Sequence, residues 1–185
     1  ESALTDLIES ASSKTPVVCC QNGVANERMA LRRFANVYGM VVLLPAEHLE
    51  PGEVVNFAED SAGVLDAGRY PNSVDATIHE VTDALNTSGF SSIPDPNVMR
   101  QKYAKLLNNL NNAVQAACGE GSADIARQLR TEALACYAAA GIDCASREET
   151  QDRRHGIQGT AVPGFQRNGD SSTQSVIRGT GDIEA

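Results

Sequence analysis

The residues best suited to chemistry fall on one stripe of one helix. Lys102, Lys105, Asn109 and Asn112 lie within about 80° of each other on a helical wheel drawn over residues 96–118. Asn108 and Asn111 flank them, so that only Leu110 interrupts a run of asparagine from 108 to 112. Asparagine costs a helix roughly half a kcal/mol against alanine, and a long helix that accepts several needs a reason. An ammonium aligned with carboxamides makes a site for an anionic or carbonyl oxygen. On periodicity alone, a solvated polar face explains the same pattern and is the commoner case.

Three further places carry polar groups where a ligand could meet them. Asn22-Gly23 closes the apolar run Val17-Val18-Cys19-Cys20. The carboxyl ends of strands are where open α/β sheets bind ligands, although Asn-Gly is equally an ordinary turn. Ser171-Ser172 follows Asp170, which by itself reads as a helix N-cap. Glu184, next to the last residue given, is by itself an exposed charge.

The elements that must position these groups change character along the chain. Residues 2–13 predict a helix, Val17 to Cys20 a short buried strand, residues 25–36 a helix and Tyr38 to Leu44 a second strand. That alternation is the pattern of the back half of a doubly wound sheet. Short strands are expected at Glu53 to Ala58 and Gly63 to Ala67, an amphipathic helix at 73–87, and a last strand at Phe90 to Ile93. After Pro94 the pattern is helical. Asp95 and Pro96 suit an N-cap and first helical position for a helix reaching Cys118, with Met99, Tyr103, Leu106, Leu110, Val114 and Ala117 as its apolar face. Helices at about 122–140 and 146–154 follow, then a glycine-rich stretch over 156–170 with no assigned role, and a final helix from Asp170 or Ser171. The expected organisation is α/β over 1–94 and all-α over 95–185.

Composition narrows the function. The chain is 42% hydrophobic, only 4% aromatic and without Trp, so its core is aliphatic. A net charge of −9 without a basic block argues against nucleic acid and against an anionic membrane surface. No apolar run is long enough to cross a bilayer, and Glu1, Asp6 and Glu9 do not suit a signal peptide. The five cysteines (19, 20, 118, 136 and 144) form no CxxC pair and lie far from the histidines, which argues against a metal site. They read as buried free thiols in a reducing cytoplasm. The chain begins inside a helical pattern and stops at Ile183-Glu184-Ala185, the expectation for a fragment.

Four segments in register alter the weight of the individual motifs. PVVCCQNGVANE, PGEVV, MRQKYAKLLNNLNNAVQA and GDSSTQSVIRGTGDIEA resemble, in order and spacing, the ketopantoate reductase family. The resemblance implies the C-terminal part of a Rossmann-type NADP-binding domain over 1–94, followed over 95–185 by an incomplete helical domain like that of 6-phosphogluconate dehydrogenase. It implies NADPH as cofactor and a small-molecule 2-keto acid as substrate, 2-dehydropantoate being reduced to pantoate. By position, Lys105 resembles the family's catalytic lysine and Asn109 the amide that orients substrate. Asn22 matches the asparagine between nicotinamide and substrate, Ser172 the serine on the substrate, and Glu184 the acid that completes the catalytic and cofactor site. Many members place a second amide eight residues after the lysine; here that position is Ala113, and Asn112 stands in its place on the stripe. No GxGxxG occurs in the sequence, so the chain alone is expected to have little activity, and an exposed sheet edge gives it a route to a homodimer. Two other readings stay open: reduction of a different 2-keto acid, and a non-catalytic helical interaction module with a remnant site.

Overall fold

The computed structural model describes residues 2–118, 123–154, 157 and 159–179. Helix α1 (Ser2–Ser10) leads into β1 (Val17–Cys19), α2 (Asn26–Leu31) and β2 (Val37–Leu43). β1 and β2 pair in parallel, with Val17 opposite Val37 and Cys19 opposite Gly39. Two short strands, β3 (Ala46–Glu47) and β4 (Val55–Asn56), form a separate antiparallel ribbon. β5 (Val64–Arg69) returns antiparallel beside β2, giving the sheet order β1-β2-β5. Helix α3 (Ala76–Thr87) closes this α/β part, and α4 (Val98–Cys118), α5 (Ala123–Ala139), α6 (Arg147–Arg154) and α7 (Ser171–Ile177) follow.

The alternation of β2 builds two cores, because successive side chains of a strand point to opposite faces. Val37 joins Cys19, Ala30 and Phe34 under α1, with Leu4 and Leu7 against them. Tyr38 and Met40 join Ala67 and Ile78 under α3, with Val81 and Leu85 against them. Asp75 secures the start of α3: one oxygen accepts from the Ile78 amide at 3.1 Å, the other from Arg69 and the Tyr38 hydroxyl at 2.6 and 2.9 Å. Helix α4 crosses the sheet at two glycines. A Cβ on Gly68 would stand 1.9 Å from the Asp95 carbonyl oxygen, and one on Gly39 would crowd Met99, Glu27 and Val98. That close approach brings the middle of α4 over the carboxyl ends of β1 and β2.

Several expected boundaries move. The helix expected over 25–36 ends at Leu31, because the Arg32 and Arg33 amides tighten onto Met29 and Ala30 and drop Phe34 into the core. The strand expected at 53–58 shrinks to Val55–Asn56, while that expected at 63–67 extends to Arg69. Ser91 and Pro94 make isolated parallel bridges to β5 rather than a continuous strand: the Ile93 amide donates to Asp66 Oδ1 at 3.0 Å, and the Leu65 carbonyl it would have met accepts from the Ser92 hydroxyl. Helix α4 begins at Val98, since Asp95 Oδ1 accepts from the Asn97 amide in a turn that precedes it. Of the five thiols only Cys19 is buried; Cys20, Cys118 and Cys136 are exposed and Cys144 is intermediate. Cys136 falls on the solvent side of α5, whose one buried residue is Tyr137.

The largest departure concerns the faces of α4. Its buried residues are Val98, Lys102, Ala104, Leu107, Asn109 and Val114, so the polar stripe turns inward with Lys102 and Asn109. Tyr103, Leu106 and Leu110, expected in the core, are only half-buried. Among the described residues no helix is long and apolar enough to cross a membrane, and no three His, Cys, Asp or Glu side chains gather as metal ligands.

Candidate active site

The carboxyl ends of the two parallel strands, the polar face of α4 and the segment leading into α7 enclose one cavity of about 600 Å³. β1 supplies Cys20, Gln21 and Asn22 beyond its last residue; β2 supplies Val42 to Leu44; α4 supplies Lys105, Asn109 and Asn112. Arg154 enters from the end of α6, and Arg167, Asp170 and Ser171 from the approach to α7.

Lys105 is the centre of this arrangement. Its Nζ donates to Asn22 Oδ1 at 2.7 Å and to the Val42 carbonyl at 2.6 Å, which fixes the head group and leaves a third proton uncommitted among the described contacts. Burial, helped by the positive charges of Lys102 and Arg154, lowers its pKa to about 8. The buried ammonium loses hydration, and like charges nearby oppose its protonation. Asn22 is held from its other end as well: its carbonyl accepts from Asn26 Nδ2 at 3.1 Å, just after Gly23 turns the chain at a φ of 80°.

Asn109 lies one turn on from Lys105, 6% exposed, and its Nδ2 has no hydrogen-bond partner among the described residues. An unpaired buried amide costs about 1–3 kcal/mol, so a donor left open on a cavity wall marks a place where an acceptor can be bound. Asn112 lines the same wall. Ser172 is fully buried with its Oγ unpaired among the described residues, and it is Ser171, not Ser172, that lines the cavity. Asp170 caps α7 through Oδ1, which accepts from the Thr173 amide at 2.9 Å; its other oxygen is buried without a described partner. Glu184 lies outside the described residues. Asn22, Lys105, Asn109 and Asn112 are thus brought together, and Ser172 is brought alongside but faces inward.

Long-range pairs hold this wall in place. Asp66, buried on β5, receives both arms of Arg153, each at 2.6 Å, and the Ile93 amide at 3.0 Å. That clamp seats α6 and delivers the adjacent Arg154 to the cavity. Glu47, buried on β3, accepts from the backbone and side-chain amides of Asn168 and so anchors the approach to α7. Lys102 does not face the cavity but pairs with Glu27 on α2, both nearly inaccessible to water. No periodicity announces such pairs, because each joins elements far apart in sequence.

Residues 1–71 match the ketopantoate reductase PanE/ApbA family model. Solved structures extend the likeness of fold over the rest of the chain. A PanE/ApbA family ketopantoate reductase from Ralstonia eutropha superposes with a TM-score of 0.70 at 22% identity, over 96% of this chain and 59% of its own. A 2-dehydropantoate 2-reductase from Methylococcus capsulatus gives 0.66 at 19%, over 86% and 57%. A D-mandelate dehydrogenase solved with NADH gives 0.65 at 20%, over 82% and 54%. The fold is therefore that of the ketopantoate reductases, a Rossmann-type sheet joined to a helical part. The chain spans less than two-thirds of the length of these structures.

Proposed function

We propose that this chain supplies the substrate side of a nicotinamide-dependent 2-keto acid reductase, with 2-dehydropantoate as substrate and NADPH as cofactor. The observation that carries the reading is the contact of Lys105 with Asn22 at the rim of a cavity whose wall holds the open Asn109 amide. The residues present fit the reactive end of such a cofactor: Asn22 stands at a parallel strand's carboxyl end, where a nicotinamide ring and a substrate would meet. The sequence carries no GxGxxG to cradle the pyrophosphate. When bound, the cofactor supplies hydride to a carbonyl carbon.

The chain's own residues account for the remainder of the chemistry. A ketone that gains hydride becomes an alkoxide, and the Lys105 proton not used among the described contacts can neutralise it. Before that transfer the ammonium stabilises the developing charge, and its two fixed hydrogen bonds hold it ready. Asn109 and Asn112 orient the keto acid. Arg154 and Arg167 give the cavity the positive charge that attracts a carboxylate. The resemblance assigns Glu184 the role of the acid in the site, and Ser171, which lines the cavity, is better placed to meet the substrate than the buried Ser172. The proposed boundary between the two parts lies near residue 94, so the cavity forms where they meet.

Reduction of a different 2-keto acid is the second reading, favoured by one residue: Ala113 stands where the family's second amide is usual. The test is a panel of 2-keto acids offered with NADPH, and again with NADH, to the protein carrying this chain and whatever flanking sequence its gene encodes. Turnover with 2-dehydropantoate supports the first reading. Turnover with another keto acid alone supports the second, and silence across the panel excludes both.

A further inference from the structure

Lys102 and Lys105 lie one turn apart on α4, yet their ammonium groups serve different neighbours. Lys102 turns into the interior between α4, α2 and the end of β1, with its side chain 3% exposed. There it donates to Glu27 Oε1, to the Gln21 carbonyl at 3.1 Å and to the Cys19 carbonyl at 3.3 Å. All three of its protons are used. Glu27 is fully buried, and its second oxygen has no partner among the described residues.

Such a pair adds little to stability. Removing two charges from water costs several kcal/mol for each, and well-packed apolar residues often serve as well or better. What this pair does locally is specific. The carbonyls that Lys102 grips lie on either side of Cys20, and the second belongs to the peptide bond that leads into Asn22. The grip therefore fixes the backbone from which the Asn22 amide reaches Lys105.

We propose that Lys102, held by Glu27, is a positioning residue for the reaction, pinning the Cys19 and Gln21 carbonyls so that Asn22 meets Lys105 and keeping a fixed positive charge behind the proton donor. This rests on the reductase reading given above. The other charged or titratable groups around Lys105 are Arg154 from α6, Arg167 and Asp170 before α7, and Cys20 beyond β1. Glu27 stands behind Lys102 on α2. Of the neighbouring charges that lower the Lys105 pKa, Lys102 acts more strongly than Arg154, and it is the one held in place by burial.

The test compares wild type with Lys102→Met and with the double variant Glu27→Gln/Lys102→Met, which removes both charges together and leaves neither buried alone. Reaction of Lys105 with acetic anhydride, followed by mass spectrometry across pH, reads its proton affinity without turnover; kcat and KM are measured beside it. In wild type the midpoint falls near 8. In the variants it moves up by about half a pH unit or more, toward the ordinary lysine value of about 10.4, and kcat falls about tenfold or more. Lys102→Arg, which keeps the charge, holds the midpoint near that of wild type. A folded double variant with both the midpoint and kcat unchanged would overturn the proposal. A wild type that turns over no keto acid, while the midpoint still moves in the variants, would sink the reductase reading and uphold the coupling of the two lysines.

Discussion

The ammonium of Lys105 and the carboxamide oxygen of Asn22 lie 2.7 Å apart, joined across 83 positions of sequence. One sits on the long helix of the helical part, the other beyond the first strand of the sheet. A site that depends on this contact depends on both parts of the chain being folded and docked, and the buried pair Lys102–Glu27 bridges the same junction one helical turn away.

The pH dependence follows from the state Lys105 must be in. In its proposed role as proton donor Lys105 must be protonated, and its pKa is lowered to about 8. Activity is therefore full below that value and falls as pH rises through it, the limb being read from kcat/KM against pH. Stability runs the other way. Between about 8 and about 10.4 the unfolded chain holds a proton that the folded chain has shed, so this group's contribution to stability rises with pH across that window. Chemical denaturation of wild type and Lys105→Met over the same range checks the sign.

Asn109 separates stability from function. Its Nδ2 is buried with no partner among the described residues, so Asn109→Leu, alike in branching and heavy-atom count, leaves thermal stability unchanged or raises it. The same change removes a donor from the cavity, and KM for the keto acid rises about tenfold or more. A large loss of melting temperature would show that the amide has a structural partner instead.

Arg153 is a structural neighbour of a site residue and is expected to behave as one. Arg153→Ala strands the carboxylate of Asp66, which is 2% exposed, with the Ile93 amide alone. Loss of one partner from a pair this buried costs about 3 kcal/mol, visible as a lower denaturation midpoint. Arg154→Ala, one residue on, spares stability and raises KM for the keto acid. A reversal of these two outcomes would mean that α6 is seated differently.

Much of the fold was legible because it rests on local signals. The apolar runs at 17–20 and 38–44, the cap at Asp170 and the helical periodicity after Pro94 each placed an element within a few residues. The side chains of Lys105, Asn109 and Asn112 shared a stripe, and that stripe does line one cavity with Asn22. What escaped was tertiary. A helical wheel cannot tell which face turns inward, so Lys102 and Asn109 were not expected in the interior, and Tyr103 and Leu106 were. The clamps Asp66–Arg153 and Glu47–Asn168 join elements 87 and 121 positions apart, beyond the reach of any window along the sequence. Asp66 and Ser92 interrupt the strand expected at 90–93 by the same kind of side-chain contact, one taking the Ile93 amide and the other the Leu65 carbonyl that a ladder would have joined.

The proposed role of Lys105 as proton donor of a 2-keto acid reductase is tested by NADPH oxidation in the presence of 2-dehydropantoate by the protein carrying this chain, wild type against Lys105→Ala. Wild type is expected to turn over clearly and the variant to lose about a hundredfold or more, with the fold intact by circular dichroism. Equal rates in the two proteins would contradict that role.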